Sequence, residues 1–253
     1  YTAHHCFSGG SDGVPVQTDF QAVANTLNTY WKYEATACSS GIQADRVLLG
    51  GGADFLYSSA NTDAMLLRLR SAPPAGSEFA GWNSAVLATS SNVIGIHHPA
   101  GDAKKVSGGR QISRNASQIE VGWLSGTTEG GSSGSGIFTA DASGYALRGG
   151  LFGGSASCAN TGSLTNSLNR DFYSRFDVVY PNISQYLAAV PIRVNGSQPL
   201  VPPVSPAVNA SAPAASAVPA AWVPAASAVP AVQRNRIPRR LPLRTLRTGS
   251  LEP

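Results

Sequence analysis

Charge is scarce in this chain. Asp, Glu, Lys and Arg make up 13% of its 253 residues, roughly half the share of an ordinary globular protein. Gly, Ser and Thr are abundant instead, and 42% of the residues are hydrophobic, enough to build a core. That profile suits an extracellular, β-rich protein better than a helical cytosolic one. Cysteine is also sparse. Cys6, Cys38 and Cys158 make an odd number with no Cys-x-x-Cys pair and no histidine at ligand spacing, which argues against structural zinc. In a secreted protein an odd count implies a missing partner. No apolar run approaches membrane-spanning length. Only four histidines are present: His4, His5, His97 and His98.

The little charge there is falls unevenly. Arg234, Arg236, Arg239, Arg240, Arg244 and Arg247 lie in the last twenty residues against one acid, Glu252. Residues 1–233 hold the other 12 basic and 13 acidic residues and so carry a net −1. A nearly neutral body argues against nucleic acid as its target.

Short apolar and β-branched runs separated by Gly, Asn, Asp and Pro predict many short strands, the pattern of an all-β sandwich or barrel pair. The expected strands are Leu27–Glu34, Arg46–Leu49, Phe55–Ser58, Ala64–Leu69, Glu78–Trp82, Asn92–His97, Lys104–Val106, Gln118–Trp123, Gly136–Thr139 and Ala146–Phe152. Tyr1–Cys6 reads as a strand end. Thr18 and Gln21 have capping-box spacing and predict a short helix over Thr18–Asn25. Phe176, Val179, Ile183, Leu187 and Val190 recur at helical spacing and predict a helix over Asn182–Val190, starting after Pro181. Pro73-Pro74-Ala75-Gly76 reads as an interdomain connection. From about Gln198 the composition shifts to Pro, Ala, Val and Ser, and the octapeptide at Pro213–Ala220 recurs at Pro224–Ala231. Such low complexity predicts an extended linker followed by a solvated basic tail.

The stretch Glu129–Gly136 carries the chemistry. It holds four glycines, three serines and Glu129. Glycines allow positive φ and close approach, so a serine among them can present its Oγ while nearby N–H groups stabilise an oxyanion. Alone, the octet reads as a flexible loop. A serine nucleophile needs a base, and the base needs an orienting carboxylate. His5, directly before Cys6, is the best base, and a disulfide at Cys6 would hold it rigidly. His97-His98-Pro99 reads as a strand end with packed or surface rings. Asp63, anchored by the apolar run Ala64–Leu69, is the best carboxylate; Asp54 is its rival, and Asp45 and Asp19 read as turn and helix-start residues.

The order His, Asp, Ser resembles a trypsin-like (chymotrypsin-fold) serine protease, and within that superfamily the bacterial lysyl endopeptidases. Thr2-Ala3-His4-His5-Cys6 resembles the family's His motif. Thr62-Asp63-Ala64-Met65-Leu66-Leu67-Arg68-Leu69 resembles its Asp motif, and Thr128–Gly136 its Ser motif with Ser133 as nucleophile. Further similarity lies in Tyr30–Tyr33, Ala80–Trp82, Ile94–Pro99 and Gly153–Cys158, so the resemblance covers residues 1–190.

The resemblance implies two six-stranded β-barrels, the first incomplete, with a C-terminal helix: residues 1–72 from an N-terminal barrel and 73–192 as the C-terminal barrel and helix; composition makes 193–253 a disordered linker and tail. It implies a catalytic His5, Asp63 and Ser133, and an oxyanion hole from the N–H groups of Gly131 and Ser133. Leu151, Phe152 and Gly153 would line the cleft and pair with substrate backbone. Asp171 matches the specificity aspartate at a pocket floor; the plainer reading of Asp171 is a surface turn paired with Arg170 or Arg175. Phe152 stands where the family has a His stacked on a Trp, and the segment bearing that Trp is shortened between Gly108 and Val121. Ser132 replaces the Asp that precedes the nucleophile in trypsin. The family has further sequence before its His motif, with cysteines that pair with the counterparts of Cys6, Cys38 and Cys158. The chain is therefore expected to be an N-terminally truncated member with an incomplete first barrel and three orphaned cysteines.

The expected function is that of a secreted, monomeric serine endopeptidase cutting proteins or peptides after basic residues (Lys, with Arg admitted). No cofactor or metal, and neither nucleic acid nor membrane as a partner, is expected. The alternatives are an inactive trypsin-like fragment or pseudoprotease that only binds, and an all-β binding module with a Gly/Ser loop.

Overall fold

The computed structural model describes residues 1–9, 15–141, 144–187 and 231–232. The expected linker and basic tail therefore lie, apart from Ala231–Val232, outside the described residues. In chain order the elements are β1 (Thr2–Ala3), α1 (His5–Ser8), α2 (Phe20–Asn25), β2 (Thr29–Trp31), β3 (Val47–Leu49), β4 (Ala53–Ser59), β5 (Ala64–Leu69), β6 (Gly81–Trp82) and β7 (Asn92–His97). There follow a 3-10 turn (Pro99–Gly101), β8 (Lys105–Arg114), β9 (Gln118–Ser125), β10 (Gly136–Asp141), β11 (Gly144–Gly154), β12 (Asp171–Ser174), α3 (Phe176–Leu187) and β13 (Ala231–Val232).

Six strands close a barrel in the order β10-β7-β8-β9-β12-β11, with β10 pairing β11 to complete the ring; β6 adds to β11 in parallel. The barrel is filled by Val93, Ile119, Val121, Trp123, Ile137, Leu151 and Tyr173, with Leu87 packed among them. Trp123 is fully buried at its centre. Its ring fits because the facing residue is glycine: a Cβ on Gly95 would stand 2.8 Å from Trp123 Cη2.

The first part of the chain forms two small sheets, β1-β5-β4 and β13-β2-β3. Phe7, Ala24, Leu27, Ala53 and Met65 pack α1 and α2 onto the first of them. A third apolar cluster joins that sheet to the barrel. It sets Ala64 and Leu66 of β5 against Phe176, Val179 and Ile183 of α3, with Tyr1, Trp82 and Leu147 alongside. Two halves of a site, one on each sheet, are thus held together by buried apolar surface contributed by a terminal helix. The architecture is the chymotrypsin fold, with a closed six-strand barrel and a C-terminal helix.

Several local expectations need correction. The helix expected over Thr18–Asn25 begins at Phe20, because Asp19 caps it by accepting the Ala22 N–H at 2.9 Å. Gln21 serves instead as a stitch to β4, donating to the Ala53 carbonyl and accepting the Phe55 N–H. The final helix starts at Phe176 and carries Pro181 within it. Packing of Phe176, Val179 and Ile183 outweighs the one intrahelical donor that a proline removes. Residues 188–190 of that expected helix lie outside the described residues. β8 runs to Arg114, far past the expected Val106, and turns tightly into β9. β12 was not anticipated. Cys6, Cys38 and Cys158, expected to lack their partners, form no disulfide with one another.

Candidate active site

His5 does not end a strand as expected; it opens the single turn α1 directly after β1. Asp63 holds it there in place of a disulfide. One carboxylate oxygen, Oδ1, accepts the His5 backbone N–H at 2.8 Å, and the other, Oδ2, pairs with His5 Nδ1 at 2.7 Å. The Asp63 carbonyl accepts the His4 N–H as well, at 3.1 Å. Asp63 is 4% exposed and sits at φ 53°, just before β5, so the strand's apolar anchor fixes its carboxylate. A carboxylate accepts only, so His5 Nδ1 carries a proton, and in the neutral ring Nε2 keeps a lone pair. His4 points elsewhere: its Nδ1 meets Ser58 Oγ at 2.6 Å and its ring packs on Phe20. Asp54 lies away from the histidines, ion-paired to Arg68 and Arg70.

The Gly/Ser loop approaches the same place from the barrel. Gly134 is pressed against β1; a Cβ there would lie 2.2 Å from Thr2 Oγ1 and 2.8 Å from Ala3 N. Its N–H bonds the Leu151 carbonyl at 2.8 Å, and the Leu151 N–H bonds the Ser135 carbonyl at 2.8 Å. The loop's other side is tied to the 3-10 turn, where Ala100 N–H meets the Gly130 carbonyl at 2.8 Å. Ser132 N–H turns back to the Glu129 carbonyl, and Ser135 N–H to that of Ser132. Ser132 faces inward, 1% exposed, while Ser133 is partly exposed. Among the described residues the N–H groups of Gly131 and Ser133 have no acceptor, whereas Ser132, Gly134 and Ser135 between and beside them all donate. Gly131 adopts φ 92°, a conformation that favours glycine. Ser133 Oγ makes no hydrogen bond to His5.

Phe152 bridges the halves. Its ring stands edge-on to His5 at 5.9 Å between centroids, and it is 46% exposed. Gly153 is open, with nothing within 4 Å of a Cβ built on it. Leu151 corrects the expectation of a cleft-lining side chain. It is buried in the barrel core, and its backbone N–H and carbonyl are both taken by the Gly/Ser loop. A bulge between Leu151 and Gly153 shifts the ladder and turns Phe152 outward.

Asp171 is not on a surface turn. It opens β12 and is 1% exposed. Its Oδ2 accepts from the Trp123 indole N–H and the Thr128 hydroxyl, each at 2.6 Å. Burial nevertheless raises its pKa above the usual carboxylate value. The suggested partners are engaged elsewhere, Arg170 with Glu120 at 3.0 Å and Arg175 with Asp177. Thr128 thus links the Asp171 carboxylate to the start of the Gly/Ser loop.

His97 ends β7 with a packed ring, in line with the sequence reading, but its partners were not legible there. It is fully buried, with Nδ1 at 3.1 Å from Ser132 Oγ and Nε2 at 2.9 Å from Ser107 Oγ. No local signal marks it, since both partners are distant in sequence. His98 stacks on Tyr33 and bonds the Asp102 carbonyl at 3.0 Å. Among the described residues no cluster of His, Cys, Asp and Glu could hold a metal ion.

A chymotrypsin-fold barrel whose Gly/Ser loop faces a carboxylate-held histidine has the framework of a trypsin-like serine protease. Residues 1–174 match the family model described as the lysyl endopeptidase C-terminal domain. The chain belongs to that family. It is 42% identical over 178 residues to the lysyl endopeptidase of Pseudomonas aeruginosa, covering 66% of this chain and 38% of that protein's length. Among solved structures, the active form of the Rv3671c protease from M. tuberculosis superimposes with a TM-score of 0.41 at 13% identity, covering 71% of this chain and 86% of the other. An inactive form of that protease gives 0.37 at 13% identity, covering 65% and 90%.

Proposed function

We propose that the chain is a serine endopeptidase that cleaves after basic residues, with Ser133 as nucleophile, His5 as general base and Asp63 as its orienting carboxylate. The observation that carries this reading is the two-point hold of Asp63 on His5, which fixes one tautomer and leaves Nε2 as the only basic atom of the ring. As Ser133 Oγ bonds to the substrate carbonyl carbon, its proton passes to His5 Nε2. The carbonyl oxygen becomes an oxyanion, and the unengaged N–H groups of Gly131 and Ser133 are its donors. His5 then protonates the leaving amine as the C–N bond breaks. Water, activated by the same ring, hydrolyses the acyl-enzyme.

Asp171 supplies selectivity in this account. A buried carboxylate without a counter-charge is unfavourable, and a substrate ammonium or guanidinium relieves it. The exposed ring of Phe152 and the open Gly153 form the nearby wall. All three proposed catalytic residues come from one chain, so the working unit is taken as a monomer. The sparse charge of the body favours an extracellular setting.

One observation favours a binding-only reading: Ser133 Oγ is not hydrogen-bonded to His5. Catalytic hydrogen bonds in unliganded sites are often long and tighten on binding substrate, which makes the test decisive. Matched peptides differing only in Lys, Arg, Gln or Leu before the scissile bond should be cut after Lys and Arg alone. Intact peptides throughout, with the protein folded, would refute the proposal.

A further inference from the structure

Behind the Gly/Ser loop lies a buried chain of hydrogen bonds whose direction follows from elementary donor counting. Ser107 Oγ donates to the Thr127 carbonyl at 3.2 Å. A hydroxyl has one proton, and a carbonyl can only accept. His97 Nε2, 2.9 Å from Ser107 Oγ, must therefore be the donor of that contact. In a neutral ring Nδ1 is then bare and accepts the hydroxyl proton of Ser132 at 3.1 Å. Ser132 Oγ in turn receives the Glu129 N–H at 3.4 Å. The series runs from the Glu129 N–H through Ser132, His97 and Ser107 to the Thr127 carbonyl, and every side-chain proton in it has an acceptor.

Both ends of this series lie on the loop that carries Gly131 and Ser133. We propose that His97 is a positioning residue, a buried neutral Nε2–H imidazole that ties Ser132 inward and thereby fixes the N–H groups of Gly131 and Ser133 for the reaction. The proposal rests on the serine-protease reading for its catalytic consequence, while the latch itself is independent of it. Burial, with His98 and Lys105 beside it, holds His97 down to about 4, so the ring stays neutral across the working range. Ser132 occupies the place of the Asp that precedes the nucleophile in trypsin. Here a hydroxyl and a neutral ring do the work that a charged side chain would do there, without burying an ion.

A protonated ring would break the direction of the series. Nδ1–H and the Glu129 N–H would both donate to Ser132 Oγ, whose own proton would lose its acceptor. The same logic ranks substitutions. His97→Gln keeps one acceptor and one N–H donor at similar separation; His97→Leu keeps neither. Ser132→Ala removes the link to the loop and leaves His97 in place.

Nitrogen-detected NMR of the imidazoles reads the tautomer in the parental protein, with His97→Gln assigning the signal. A neutral Nε2–H ring that does not titrate between pH 5 and 8 is expected. An Nδ1–H tautomer, or a ring charged at pH 7, overturns the proposal whatever the activity. In Ser132→Ala, amide exchange at Glu129, whose N–H loses its acceptor, should quicken while β7 and β8 keep their protection. The maximal rate of Ser133 modification by a fluorophosphonate should fall about tenfold, because small misplacements of reacting groups are costly. The Michaelis constant for a basic peptide should stay nearly constant, and His97→Gln should retain most of the rate. Unchanged exchange and unchanged rate in Ser132→Ala would overturn the latch. An unreactive Ser133 in the parental protein would instead sink the protease reading and leave the tautomer and exchange to decide the latch.

Discussion

Replacing Asp63 by Asn changes one acceptor atom into a donor and little else. The backbone there sits at φ 53°, a region Asn tolerates. In the parental protein Oδ1 and Oδ2 accept the His5 N–H at 2.8 Å and Nδ1–H at 2.7 Å. The backbone N–H cannot become an acceptor, so the Asn oxygen must remain with it. The amide NH2 then faces Nδ1, and the ring can satisfy it only by moving its proton to Nε2. That tautomer has no lone pair for the Ser133 proton. The expected loss in kcat is about 10⁴-fold, the scale of a wrong-tautomer substitution in this kind of triad. That equals about 5.5 kcal/mol of transition-state stabilisation. Stability should change far less, by about 1–3 kcal/mol, since one hydrogen bond to a charged group is weakened. Steady-state hydrolysis of a Lys peptide, with thermal unfolding measured in parallel, separates the two effects. Activity within tenfold of the parental value, or an equal loss in Asp54→Asn, would refute the reasoning.

Asp171→Ser should abolish the preference for basic residues in peptide cleavage. It should also destabilise the fold by about 1–3 kcal/mol per stranded donor, because the Trp123 and Thr128 donors lose their acceptor; unchanged preference would remove Asp171 from the pocket. Acid should weaken the fold through His97, whose pKa falls from 6.5 to about 4 on burial. The unfolded chain takes up that proton first, so stability is lost as pH falls from about 6.5 and the loss is complete near 4, about 3 kcal/mol in all. His98, also lowered by burial, adds to it, and Asp171, raised by burial, offsets part. Urea midpoints that stay level from pH 7 to 4.5 would contradict this. Gly134→Ala puts a methyl against Thr2 at φ 77°, which should cost about 1–3 kcal/mol of strain and slow Ser133 labelling by pushing the loop off β1. An unaltered labelling rate would show that this contact does not position the loop.

What the sequence made legible was local. β5 and β7 have their expected limits, since each is a clean apolar run bounded by turn residues. The His, Asp and Ser motifs are each carried by a few neighbouring residues, and it was their order along the chain that made them readable. The rest depended on contacts between distant segments. β12 is short and begins with a buried Asp, so only its pairing with β9 and β11 makes it a strand. Leu151 lies inside the barrel because a bulge at its end resets the inward-outward alternation. α3 begins before Pro181 because β5 and Tyr1 cover its apolar face. The role of His97 was hidden for the same reason, its partners lying 35 and 10 residues away.

In the proposed mechanism His5 activates Ser133. A fluorophosphonate probe with peptide mapping tests it most directly. One adduct per chain is expected, on Ser133, and it should disappear in a folded His5→Ala variant. An adduct on another residue, or equal labelling without the His5 ring, would contradict it.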